Sequence, residues 1–112
     1  MRAVSVKIPI DDLPEFAEEY GSAPYVVVAG TDGPPRITHS ESRFDGELLV
    51  VRLGPTSHRV LAADPAVAVL WPATRDQSMS LIVDGTVEGP LDPEDGGEVR
   101  IRPTGAVHHR PA

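Results

Sequence analysis

Cysteine is absent from this 112-residue chain, which removes disulfides, thiolate nucleophiles and cysteine-based zinc sites together. No apolar run approaches the length that crosses a bilayer. The opening residues MRAVSVKIPI hold no continuous apolar segment of signal-peptide type before Pro9 and Asp11. A soluble cytoplasmic protein is the resulting expectation. Positive charge is scarce as well: 17 acidic against 10 basic residues give a net charge of -7. A general nucleic-acid or anionic-membrane role needs the opposite surface field, which leaves a small-molecule partner. Lysine occurs once, at Lys7, so almost every cation is an arginine, whose planar fork of donors suits phosphate and carboxylate. The abundant Ala, Pro, Gly and Asp make nucleotide bias the simpler source of that ratio, so each arginine is weighed by its position.

A chain of this length makes one domain over residues 1–112 and buries about two thirds of its unfolded surface. Leu13, Phe16, Ala17 and Tyr20 recur at helical spacing with Glu15, Glu18 and Glu19 on the other faces. The pattern predicts an amphipathic helix over Asp11–Tyr20 within residues 1–22. Asp11 is its expected N-cap, Pro14 sits in its first turn and Gly21 ends it. Such a helix covers one end of a sheet.

Six strands are expected over residues 25–106. Tyr25–Ala29 is a continuous apolar run, and Gly30 to Pro35 supplies the turn that folds it onto Arg36–Phe44. That second strand has no convincing core face, because Arg36, Thr38, Ser40 and Ser42 alternate with Ile37, His39, Glu41 and Arg43. It is either a solvated edge strand or one that faces something polar. Asp45-Gly46 signals a hairpin into Glu47–Leu53. Ala66–Trp71 is a short valine-rich strand between prolines. In Ser78–Val87, Met79, Leu81 and Val83 alternate with Ser80, Ile82 and Asp84, and Gly85 marks a bulge or bend. Gly89–Gly97 reads as an exposed acidic loop without a ligand role. Glu98–Arg102 then points Val99 and Ile101 inward and Glu98, Arg100 and Arg102 outward, and His108, His109 and Arg110 fall in a mobile tail. Short strands, tight turns and few helices describe a mainly β, closed or nearly closed antiparallel barrel.

The chemistry is expected between Leu53 and Pro72. A short helix starts after Gly54-Pro55, with Thr56 or Ser57 as its cap, and Asp64-Pro65 stops it. Two hydroxyls, His58 and Arg59 then lie beside the unpaired N–H groups and the positive end of the helix dipole, an arrangement that suits phosphate. Arg52, two residues before this cluster, points toward the same place. Capped helices between strands are common architecture, and that is the plainer reading of the stretch.

Taken in order, YVVVAGTDGPPRIT, FDGELLVV and TSHRVLAADPAVAVLW resemble the FMN-binding split-barrel family of pyridoxamine 5'-phosphate oxidase-like proteins, over about Tyr25 to Ile101. The resemblance implies a six-stranded antiparallel split β-barrel with a short inserted helix and an N-terminal covering helix. It also implies a homodimer with FMN in the clefts between subunits. Arg36 matches the arginine that opens the family's second strand, and Thr38 and His39 fall where that strand runs beside the flavin. Arg52, Thr56, Ser57 and Arg59 fall where phosphate is held, with His58 between them. His39 and His58 are the titratable groups nearest the cleft, no catalytic residue is named, and no metal site is expected because no ligand spacing ties the histidines together. The chain departs from the family at Ser57, where a lysine is usual, and at Val60, where an asparagine is usual. The C-terminal arginine motif of the true oxidases is absent. The expected function is an FMN-dependent oxidoreductase of unknown substrate, with deazaflavin F420 as the alternative cofactor. A non-catalytic dimer that binds a flavin, deazaflavin or haem-type molecule, or no cofactor, is the other reading. Trp71 is expected in the dimer core.

Overall fold

The structure, a computed structural model, describes residues 5–30 and 33–110. The expected turn at Thr31-Asp32, the first residues of the segment weighed as a signal, and the last two residues lie outside them. The strands are β1 (Ser5–Lys7), β2 (Tyr25–Val28), β3 (Arg36–His39), β4 (Ser42–Asp45), β5 (Leu48–Leu53), β6 (Ala66–Trp71), β7 (Ser80–Val87) and β8 (Gly97–His109). Two helices, α1 (Leu13–Glu18) and α2 (Pro55–Ala63), complete the fold.

All the pairings are antiparallel, in the order β3-β2-β6-β7-β8-β5-β4 with β1 added beside β8. The strands at the two ends of that order are consecutive in sequence, joined through Ser40 and Glu41. The sheet therefore curls until its edges meet. Ser40 fixes the corner: its hydroxyl accepts from the Arg52 N–H at 2.9 Å and donates to the Glu41 carbonyl, while its own N–H donates to Pro24 O at 3.1 Å. A buried hydroxyl needs such partners. The chain is a mainly β, antiparallel split barrel with two short helices.

Alternation places Val26, Val28, Leu49, Val51, Val67, Val69, Leu81, Val83, Val99 and Ile101 inside. Leu13 and Ala17 of α1 close one end of this core and Leu61 of α2 joins it. The expected outward set Glu98, Arg100 and Arg102 is confirmed by the register of β8 on β5 and β7. At Asp84/Gly85 the register slips, with Pro103 opposite Gly85 and Gly105 opposite Asp84, so Thr104 is the extra residue. Gly85 is needed there, since a Cβ would lie 2.9 Å from Arg102 O and 2.5 Å from an Ile101 methyl.

Several expectations are corrected. Eight strands form among the described residues rather than six. Ser5–Lys7 pairs with β8, and Arg36–Phe44 breaks at the Ser40 corner into β3 and β4. The last strand runs on to His109, so His108 and His109 belong to the sheet and not to a tail. His108 is held by Tyr20 at 2.9 Å and packs edge-on against Phe16 at 4.3 Å. The first helix is shorter than Asp11–Tyr20, because Ile10–Asp12 is a 3-10 turn and no side chain caps α1. Trp71 is 1% exposed within this chain's own core, and its indole N–H donates to Gly21 O at 3.1 Å; its packing is intramolecular.

Candidate functional site

Pro55 occupies the first position of α2 and Gly54, with extended dihedrals, is the N-cap, with no side-chain cap bond. Proline fixes φ and lacks the donor that would go unpaired there, which shifts the start upstream. Thr56 and Ser57 are therefore inside the helix and neither caps it. Ser57 and His58 are buried on the side of α2 that meets the barrel.

His58, 1% exposed, has both ring nitrogens engaged. Nδ1 accepts from the Asp92 N–H at 2.8 Å, so the proton is on Nε2, which donates to Gly97 O at 3.0 Å. Arg59 donates to Pro93 O at 2.9 Å and to Thr56 Oγ1 at 3.2 Å. Residues 89–97 thus cross the start of α2 as a strap. Its own shape is fixed by Asp92, whose carboxylate accepts from the N–H groups of Glu94 and Asp95, each at 3.1 Å. The Gly96 N–H donates to Asp92 O. Gly96 has φ +74°, and a Cβ there would lie 2.7 Å from Leu53 O and 2.9 Å from Pro55 N, so only glycine lets the strap close on this turn.

The other expected residues lie on the strands. The Arg36 side chain is exposed, and its guanidinium has no hydrogen bond or ion pair among the described residues. Arg36 stands opposite Val28, and Thr38 opposite Val26, so both share the sheet face that carries the core. Gly30, just past β2, sits so close to Val60 of α2 that a Cβ would be 3.2 Å from its methyl, bringing this end of the β2-β3 hairpin beside α2. His39 points to the opposite face, where its ring stacks on Tyr25 at 4.5 Å and 16°. Its Nε2 bonds the Ala23 carbonyl at 2.9 Å. Arg52 is exposed on the outer face, opposite Glu98. The Glu98 carboxyl is held below its usual range chiefly by the hydrogen bond from Arg43, with weaker attraction from Arg52 and Arg100. The eight expected residues therefore form two groups: Arg36, Thr38, His39 and Arg52 about the β3 edge and its corner, and Thr56, Ser57, His58 and Arg59 on α2.

Sequence reasoning missed two features. Tyr25 reads as one more apolar strand residue, yet its ring and His39 make an exposed stack. The strap reads as a plain acidic loop, although Asp92-Pro93-Glu94-Asp95-Gly96-Gly97 carries an Asx-turn signature and paired glycines that foretell a fixed shape.

Next to the Tyr25–His39 stack, the outer face is apolar. His39, Tyr25, Leu70, Ile82 and Val107 form one row of register neighbours across five strands, ending at Lys7 of β1. Ile37, Val27, Ala68, Asp84 and Gly105 form the next. Ile37 is 67% exposed. Among the described residues no helix is long and apolar enough to cross a membrane.

No protein-family model and no curated protein sequence matches the chain. Solved structures do match its fold. An F420 reductase superposes with a TM-score of 0.62 at 22% identity, over 76% of this chain and 88% of its own. A pyridoxamine 5'-phosphate oxidase-like protein from Listeria innocua gives 0.67 at 15% identity, covering 88% and 96%. A FAD-binding protein from Mesorhizobium loti gives 0.68 at 12% identity, covering 93% and 94%. Together with the curled antiparallel sheet, the Ser40 corner and the inserted α2, these likenesses identify the fold as the pyridoxamine 5'-phosphate oxidase-like split barrel.

Proposed function

We propose that this chain forms a homodimer through its apolar outer face and holds a flavin-type cofactor, FMN or deazaflavin F420, along the β3 edge, where it acts as an oxidoreductase on a small molecule. The observation that carries this reading is that three things meet at the β3 edge: the apolar rows on β2, β6 and β7, the exposed Tyr25–His39 stack on that same outer face, and, on the opposite face, the Arg36 guanidinium, which has no partner among the described residues. A second copy is the occupant that suits the face. Each chain carries a net charge of -7, so two copies repel and their contact must offset this by burying apolar surface without adding like charges; these rows carry charge only at Lys7 and Asp84, of opposite sign, with His39 at the edge. The folds of an F420 reductase and a FAD-binding protein support the cofactor class.

The residues present fit an acidic ring-bearing cofactor on the strand side. Arg36 and Thr38, on the core-side face of the β3 edge, offer a donor fork and a hydroxyl for phosphate or carboxylate, while on the outer face Arg52 offers a second fork and the Tyr25–His39 stack a flat surface. A bound flavin or deazaflavin supplies the hydride or electron transfer, and the protein orients it. Arg36→Ala is expected to weaken FMN binding by about 1.5 to 3 kcal/mol, the scale of a lost charge-assisted bond. One observation favours binding without turnover: His58, one of two titratable groups expected near the cleft, has both nitrogens committed to the strap.

The test is absorbance of the purified protein between about 300 and 500 nm, where oxidised flavins absorb, followed by fluorescence titration with FMN and with F420 and by sedimentation. Saturable quenching by a dimer supports the proposal, and turnover with a reduced nicotinamide donor distinguishes an enzyme from a binder. A monomer that quenches neither cofactor overturns it.

A further inference from the structure

We infer that residues 89–97 are a specificity strap that takes the start of α2 out of ligand binding, so that an acidic ligand in the cleft is held from the strand side alone. A helix start with two hydroxyls and an arginine is the expected place for a phosphate, and here the strap has taken it. Arg59 spends its guanidinium on Pro93 O and Thr56 Oγ1. His58 spends Nδ1 on the Asp92 N–H and Nε2 on Gly97 O. Gly96 packs on the backbone of Leu53, Gly54 and Pro55 at a distance that leaves no room even for a methyl group. The strap also brings Asp92, Glu94 and Asp95 to this turn, and their charge opposes a phosphate dianion. Ser57, in the same turn, is buried and carries no positive charge to outweigh them.

The arginines divide accordingly. Arg59 is a positioning residue for the strap, while Arg36, with no partner among the described residues, and Arg52, with no direct bond to Glu98, keep their forks for a ligand. The second half of the inference rests on the cleft reading above; the first half does not, and the experiment separates them.

The experiment compares Arg59→Ala and Thr56→Val with Arg36→Ala and Arg52→Ala in FMN titrations of the full chain, alongside an NMR titration of the wild type with inorganic phosphate. Arg59→Ala and Thr56→Val are expected to leave the FMN Kd within about twofold, whereas the strand-side variants weaken it about tenfold or more, as for a lost charge-assisted bond. The amides of residues 56–59 are expected to show no saturable shift with phosphate. A tenfold loss in Arg59→Ala, or a saturable shift at those amides, overturns the strap. If FMN does not bind at all, the cleft reading fails and the phosphate titration alone decides the strap. Hydrogen exchange supplies the structural control. The Asp92 amide is protected in the wild type and loses protection in His58→Ala, while β5 amides keep theirs. An Asp92 amide that exchanges freely in the wild type also overturns the inference.

Discussion

The outer face of the sheet has two halves that differ in how they end. Across β4, β5 and the first half of β8, Arg43 pairs with Glu98 at 2.7 Å and Arg100 with Asp45 at 2.8 Å, while Arg102 pairs with Glu88 and with Glu47. Across β3, β2, β6 and β7 the rows are apolar, with Ile37 and Tyr25 exposed. The boundary is the slip at Thr104, where the alternation of β8 changes phase and outward arginines give way to Gly105 and Val107. The charged half is finished against water. Its Val50 points outward yet is 1% exposed, because its register neighbours are Arg43 and Arg100 and long arginine stems cover apolar surface while their heads stay wet. Among the described residues the apolar half has no such cover, and two halves of one face with the same backbone thus have different needs.

The largest expected effect comes from charging the apolar half. Ile82→Glu places an unpaired carboxylate at the proposed contact, which costs about 3 to 5 kcal/mol when buried, and sedimentation should report a monomer whose circular dichroism is unchanged. A dimer that survives would place the contact elsewhere. Val50→Ala probes the charged half from beneath: loss of its methyl groups should lower unfolding free energy by about 1.5 to 2 kcal/mol in denaturant titration. A smaller loss would mean that the arginine stems do not seal it. Arg100→Ala should cost less than about 1 kcal/mol, with the difference shrinking in salt, since exposed pairs are weak and screened.

The smallest effect is a pH dependence away from both halves. Burial lowers the pKa of His108 in the folded protein below its ordinary 6.5, with Glu19 pulling weakly the other way. The unfolded chain therefore binds this proton more readily. The stability tied to neutral His108 is present above pH 6.5 and is lost as the pH falls through the lowered value. His108→Gln, which keeps a donor for Tyr20, should flatten the melting temperature below pH 6.5 relative to the wild type.

Much of the barrel was legible because alternation is a direct consequence of the pleat: β5, β6 and the inward pair Val99 and Ile101 stand where their patterns put them. The Arg36–Phe44 segment shows the limit. Its polar character was plain, but that Ser40 turns the chain between two sheet edges depends on a bond to Arg52 made only after folding. β1 is a three-residue strand with no buried residue, too short for a pattern to register. At α2 the sequence shows the residue types but not the intramolecular partners they take up. His58 and Arg59 look like ligand-binding groups in sequence, and what commits them elsewhere is a loop more than thirty positions away.

β8 bears also on how the protein is made. It pairs with β7 along one side and with β5 and β1 along the other, and it is the last of the four to be synthesised. A nascent chain on the ribosome holds those strands without the one that joins them, and the apolar rows of Leu49, Val51, Leu81 and Val83 wait for it. Pairing across such separations is slow and leaves strand edges open in the meantime. The window between synthesis of β7 and docking of β8 is when these strand edges are open to other chains, and slower translation of residues 88–96 would lengthen it.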